Sequence, residues 1–224
     1  MKQNINIHIK AIGCVVVVLL LFSCKKFLKE EVYTQYDPGA FLQTERGINS
    51  VLNAAYSNMQ VTSSMRERIY TLNEFPADIM WEWGGSFANS AILYMSYNWD
   101  PQEGFLKSAW QQYYVSIRNA NSLLDNIDNV TTLPLEKVEQ FRAEARFVRA
   151  ADYYFLWSLF GPVPLITTTD SLSLQPKRAN DEAFNTFITT EFLEAAEKLP
   201  LTQSLYGKAT KGAALALLGE YYLN

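Results

Sequence analysis

The sequence predicts a mainly α protein built from tetratricopeptide-like helical hairpin repeats, with a long irregular insertion between its early helices. Three observations carry this. Apolar residues return at three-, four- and seven-residue spacing in successive stretches from Thr44 onward, which is the period of amphipathic helices. The stretch from Phe141 to Pro164, FRAEARFVRAADYYFLWSLFGPVP, carries two apolar faces, so it needs neighbours on two sides. Finally, setting RAEARFVRAADYYFL beside ATKGAALALLGEYYL lays Tyr154 over Tyr221, 67 residues on, close to two repeats of roughly 34 residues. A chance match between two alanine-rich helices is the other explanation of that offset.

Residues 1–23 read as a leader rather than as part of the fold. Lys2 and Lys10 precede an uncharged apolar run from Ala11 to Phe22, which is short for a membrane span. The run ends in LFSC, with small Ser23 directly before Cys24. Its removal takes away His8, the only histidine, and Cys14, and shifts the net charge from −4 to −6. The remaining chain has no histidine and a single thiol at its first residue. Ser/His/Asp and Cys/His nucleophilic sites, histidine- or thiolate-bound zinc and an internal disulfide are thereby excluded, and no cofactor or metal is expected. With 17 basic residues against 23 acidic ones there is no basic patch for nucleic acid. A content of 49% hydrophobic residues is enough for a substantial core.

Residues 24–43 form a tether, starting with the charged KKFLKEE and turning at Asp37-Pro38. The helical domain spans residues 44–224. Thr44 caps a helix with Ile48, Val51, Leu52, Ala55 and Met59 inward. From about residue 65 to 104 the period fails, and Pro76, Gly84, Gly85 and Pro101 break any long element. A helix from Phe105 carries Trp110, Tyr113, Tyr114, Ile117, Leu124 and Ile127, with Asn121 in a structural role. Pro134 and Glu136 mark the next N-terminus, leading into the central helix that stops at Gly161-Pro162. There Arg142, Arg146 and Arg149 share one stripe, read as a solvated edge with Glu139 and Asp152 in pairing range. Val163 to Gln175 reads as an extended crossing. Asp181 then caps a helix ending at Pro200, and the last helix, from about Thr210, offers Gly212, Ala213, Ala216 and Gly219 for close helix approach.

The insertion is the candidate binding surface. It concentrates Trp81, Trp83 and Trp99 beside Tyr94, Tyr97, Asp78, Glu82, Asn89 and Asn98. A sugar ring needs a flat aromatic face against its CH groups and carboxylates or amides for its hydroxyls. Packing of the tryptophans onto the helices would explain any one of them equally well. The candidate ligand-binding residues are Asp78, Trp81, Glu82, Trp83, Tyr94, Asn98 and Trp99.

The run EARFVRAADYYFLWSLFGPVPLI resembles the signature helix and turn of the SusD/RagB family, nutrient-binding lipoproteins of the outer membrane in certain Gram-negative bacteria. Similar stretches are YTQYDPGAFLQTERGINSVLNAAYSNM, IRNANSLLDNI and YGKATKGAALALLGEYYLN, in the family's order. Family members are usually more than twice this length, so the resemblance implies the N-terminal portion of a larger SusD-like fold, truncated at its C-terminus. LFSC resembles a lipobox, which implies lipidation of Cys24 and anchoring in the outer membrane, facing the exterior. The family also implies delivery of an oligosaccharide to a SusC-like TonB-dependent outer-membrane transporter without cleavage, and ligand contacts in the insertion. Two alternatives stay open at this point. One is a lipid-anchored helical scaffold that binds no glycan. The other is a glycosidase, for which Asp78 and Glu82 are the best carboxylate pair.

Overall fold

The helices of the computed structural model follow the chain in order; it describes residues 38–61, 72–82, 84–85, 88–170 and 173–224. Cys24, most of the tether and Trp83 lie outside these residues. The helices are α1 (Pro38–Phe41), α2 (Glu45–Val61), α3 (Ala88–Met95), α4 (Gly104–Asn126), α5 (Leu135–Phe160), α6 (Asp181–Lys198) and α7 (Lys211–Leu223), with a 3-10 turn at Ile127–Asn129. No strand occurs among the described residues. Helices α2 and α4, α4 and α5, α5 and α6, and α6 and α7 pack together, and α5 also touches α2 and α7.

Helix α5 is the centre, as its two apolar faces require. Trp110 meets Phe160 at 5.2 Å and Tyr113 stacks on Phe155 at 5.8 Å, which sets α4 antiparallel to α5. On the other side Phe147 meets Phe192 at 6.3 Å and Tyr153 meets Phe187 at 5.2 Å, which sets α6 antiparallel as well. Phe141 and Ala145 instead join Ile48 and Leu52 of α2 in a second apolar cluster. Tyr154 and Tyr221, on the second helices of successive hairpins, touch edge to face at 6.3 Å.

Local chemistry explains the helix limits. Thr44 Oγ1 accepts from Gly47 N at 3.0 Å and Thr210 Oγ1 accepts from Ala213 N at 3.2 Å, as capping side chains do. Gly161, at φ 69° and ψ −164°, ends α5 in a region that is essentially glycine's own. The crossing after it is extended and held from the side: Asn121 Nδ2 donates to Ile166 O at 2.7 Å, and the Tyr114 hydroxyl donates to Pro164 O at 2.7 Å.

Five readings change. The insertion is not irregular throughout, because ANSAILYM forms the eight-residue α3, too short to show a period. Asn180, not Asp181, caps α6, with Oδ1 accepting from Ala183 N at 2.7 Å. The arginine stripe is not a solvated edge: Arg149 is buried, with Nη2 2.7 Å from Glu191. Asp152 is therefore not its partner, and its buried carboxyl has no hydrogen bond among the described residues. Gly212, Ala216 and Gly219 face outward, while Ala214, Leu218 and Tyr221 are the buried residues of α7.

Candidate functional site

A cleft of about 640 Å³ opens where the α3–α4 connection, the start of α4 and the end of α5 converge. Trp99, Leu106, Trp110 and Phe160 give it aromatic and apolar walls, and Gln102, Lys107, Gln111 and Arg178 line its polar rim. Trp110 is placed by α4 and held by Tyr114 and Phe160, at 5.1 and 5.2 Å between ring centroids. Trp99 is 40% exposed and rests on Tyr94 at 5.6 Å and Tyr97 at 5.8 Å.

The mounting of Trp99 depends on how α3 ends. Asn98 N donates to Leu93 O at 2.9 Å and Tyr97 N to Tyr94 O at 3.2 Å, the paired bonds of a Schellman cap. The left-handed position of that cap usually belongs to glycine, yet here it is Tyr97 at φ 53°. Its side chain accounts for the exception: the hydroxyl donates to Pro76 O and the ring lies against Trp99. Tyr97 thus ties the turn at residues 75–78 to the wall of the cleft.

Glu103 does the same from below. Its Oε2 accepts from Phe105 N at 2.8 Å and Leu106 N at 3.1 Å, capping α4, where a negative charge is favoured. The same carboxylate accepts the Tyr94 hydroxyl. Burial first, and then the Glu103 carboxylate, push the Tyr94 phenol well above its ordinary pKa.

The residues singled out from sequence fall into three groups. Trp99 lines the cleft. Tyr94, read as a ligand contact, is buried at 1% exposure and supports Trp99 from behind instead. Trp81, 71% exposed, and exposed Asp78 and Asn98 lie on the insertion outside the cleft lining, while Glu82 is half-buried. Asp78 sits at φ 62° and residues 80–82 are not helical, so the four-residue spacing does not put Asp78 and Glu82 on one helix face. Trp83 is outside the described residues. Sequence reasoning missed Lys107, Trp110 and Arg178 as cleft residues. Trp110 was readable as an aromatic on the helix face, but only tertiary packing turns one edge of it outward.

Comparison with known proteins follows this geometry. A SusD-like family described as starch-binding and associating with the outer membrane matches residues 26–223. SusD-like protein P2 of Formosa agariphila is 26% identical over 218 residues, which are 93% of this chain and 42% of that one. The starch-binding protein SusD of Bacteroides thetaiotaomicron is 30% identical over 158 residues, 69% of this chain and 27% of that protein. Among solved structures, a laminarin-binding SusD-like protein superposes with a TM-score of 0.66 at 26% identity, over 80% of this chain and 39% of that one. The chain therefore spans less than half the length of these relatives. The helical architecture of the described residues matches that solved structure over the part shared, and the protein belongs to the SusD-like family.

Proposed function

We propose that this protein is a non-catalytic, surface-exposed glycan-binding lipoprotein of the outer membrane, which passes oligosaccharides to a SusC-like TonB-dependent transporter. The observation that carries it is the pairing of Trp99 and Trp110 in one cleft beside Gln102 and Gln111. Two rigid rings cover the CH faces of successive sugars, and the side-chain amides serve their hydroxyls as both donor and acceptor. Trp81, Asp78, Glu82 and Asn98 extend the surface along the insertion, Tyr94 acts from behind, and Trp83, outside the described residues, stays a candidate contact by its place in the sequence. The starch- and laminarin-binding relatives support this class of ligand. In this reading residues 1–23 are removed and lipid on Cys24 anchors the chain, since more than one acyl chain makes anchoring stable. No helix among the described residues is long and apolar enough to cross a membrane.

The test is calorimetric titration of the full-length chain with a panel of oligosaccharides. Trp99→Ala and Trp110→Ala each weaken the best ligand about 10-fold or more, corresponding to roughly 1.4 kcal/mol, while helix content by circular dichroism stays constant. Unchanged affinity in both variants overturns the assignment of the cleft. Co-purification of a TonB-dependent barrel from detergent-extracted outer membranes tests the delivery step.

A further inference from the structure

The polar rim of the cleft has one sign of charge. Lys107 and Arg178 line it, and no described lining residue carries a carboxylate. This runs against a chain with a net charge of −4. The two acids nearest in sequence are engaged elsewhere: Asp100 Oδ1 accepts from Gln102 N at 2.6 Å, and Glu103 caps α4 and takes the Tyr94 hydroxyl. Lys107 has no ion-pair partner among the described residues. Arg178 is fixed without a carboxylate, its Nη1 donating to Phe160 O and Pro162 O, both at 2.8 Å. Those two bonds use the N–H groups of Nη1 and leave Nε and Nη2 without a partner among the described residues. A guanidinium so held is oriented in advance for a planar or tetrahedral oxyanion.

We infer that the cleft selects anionic oligosaccharides, whose sugars carry carboxylate or sulfate groups, over neutral ones of the same length. The inference rests on the reading of the cleft as a glycan site and adds the class of sugar to it. Trp99 and Trp110 hold the rings, while Lys107 and Arg178 take the acidic substituent at the rim. A neutral chain would gain the stacking but would offer the two cations hydroxyl oxygens only, with no opposite charge. A stray carboxylate in the lining would cancel the preference, and the rim has none among its described residues.

The experiment titrates the full-length chain with two matched pairs: tetragalacturonate against its methyl ester, and a carrageenan tetrasaccharide against its desulfated form. In at least one pair the charged member binds about 10-fold tighter at low salt and loses most of that advantage in about 0.5 M sodium chloride. Lys107→Gln lowers the affinity for the charged member about 3- to 10-fold more than the affinity for the neutral member, so the ratio between them shrinks. Because Arg178 also caps carbonyls, Arg178→Lys serves as its control, keeping the charge while giving up the fork. Equal binding within both pairs overturns the inference, as does a charge preference that survives Lys107→Gln and Arg178→Gln combined. If neither acidic probe binds while a neutral laminarin oligosaccharide does, the inference fails and the glycan-binding reading stands. Absence of binding by every saccharide, with folded protein, removes both.

Discussion

Arg149 of α5 and Glu191 of α6 form a buried ion pair, Nη2 to Oε2 at 2.7 Å, and the same guanidinium donates to Asn121 Oδ1 at 2.8 Å and Thr167 O at 3.1 Å. One side chain thereby joins α4, α5, α6 and the crossing that leads away from α5. Glu191 is shared with Arg146. Removing Arg149 leaves Glu191 with Arg146 alone and strips Asn121 Oδ1 and Thr167 O of their donor, which costs about 2 kcal/mol. Arg149→Met should lower the urea midpoint accordingly, and Arg149→Met with Glu191→Leu should recover part of the loss. A double variant no better than the single one would locate the cost in lost packing instead.

Asp152 gives stability an unusual pH dependence. Its carboxyl is fully buried beside Tyr113 and Ser116 of α4, and the Ser116 hydroxyl donates to Ala55 O at 3.0 Å rather than being free for it. Burial raises the Asp152 pKa well above the carboxylate range. The folded chain therefore keeps a proton that the unfolded chain releases near pH 4. With more protons bound in the folded state, this group's contribution is complete below that pH and falls as pH rises. Asp152→Asn should raise the melting temperature relative to the parent at pH 8, with little difference at pH 4. The same gain at both values would refute the proton linkage.

Gly161 takes a backbone conformation at φ 69° that side chains other than hydrogen rarely adopt, although open space surrounds the position of a Cβ. Strain alone, without a clash, thus sets the effect of Gly161→Ala, about 1–3 kcal/mol. Chemical denaturation measures it. A neutral substitution would show that the end of α5 readjusts freely.

Tyr97 separates strain from function. Tyr97→Gly relieves the left-handed backbone at φ 53° and Tyr97→Ala does not, so the glycine variant should be the more stable by about 1 kcal/mol. Both lose the ring that backs Trp99, so both should bind glycan more weakly than the parent. Titration beside thermal melting of the two variants checks this. Retained affinity in the glycine variant would mean that Trp99 needs no such support.

Most of the helices were readable because they announce themselves locally, the eight-residue α3 being the exception. Thr44, Pro134, Gly161 and Thr210 act within a few residues of where they stand, and the two apolar faces of α5 can be counted from the chain alone. What failed was set by partners far away in sequence. The arginine stripe looked solvated because Glu191 lies 42 residues from Arg149. The site was half legible: tryptophans clustered in one stretch drew notice, and Trp99 is in the cleft. Lys107 and Arg178 are unremarkable in sequence, and only the meeting of the start of α4 with the end of α5 makes them neighbours of one opening. Tyr94 was misassigned for the opposite reason, since composition cannot tell a ring that offers its face from one that props another.

Glu103 gives the wall of the cleft a built-in clock. Two main-chain amides, Phe105 and Leu106, are closed by the carboxylate that also holds the Tyr94 phenol, and Tyr94 in turn carries Trp99. Their exchange with deuterium requires that carboxylate to let go, an event that loosens the tryptophan's footing at the same moment. The lifetime of these two protons therefore reads the firmness of the wall in the empty protein, and a sugar pressed against Trp99 should lengthen it while leaving amides at the far end of α4 unmoved.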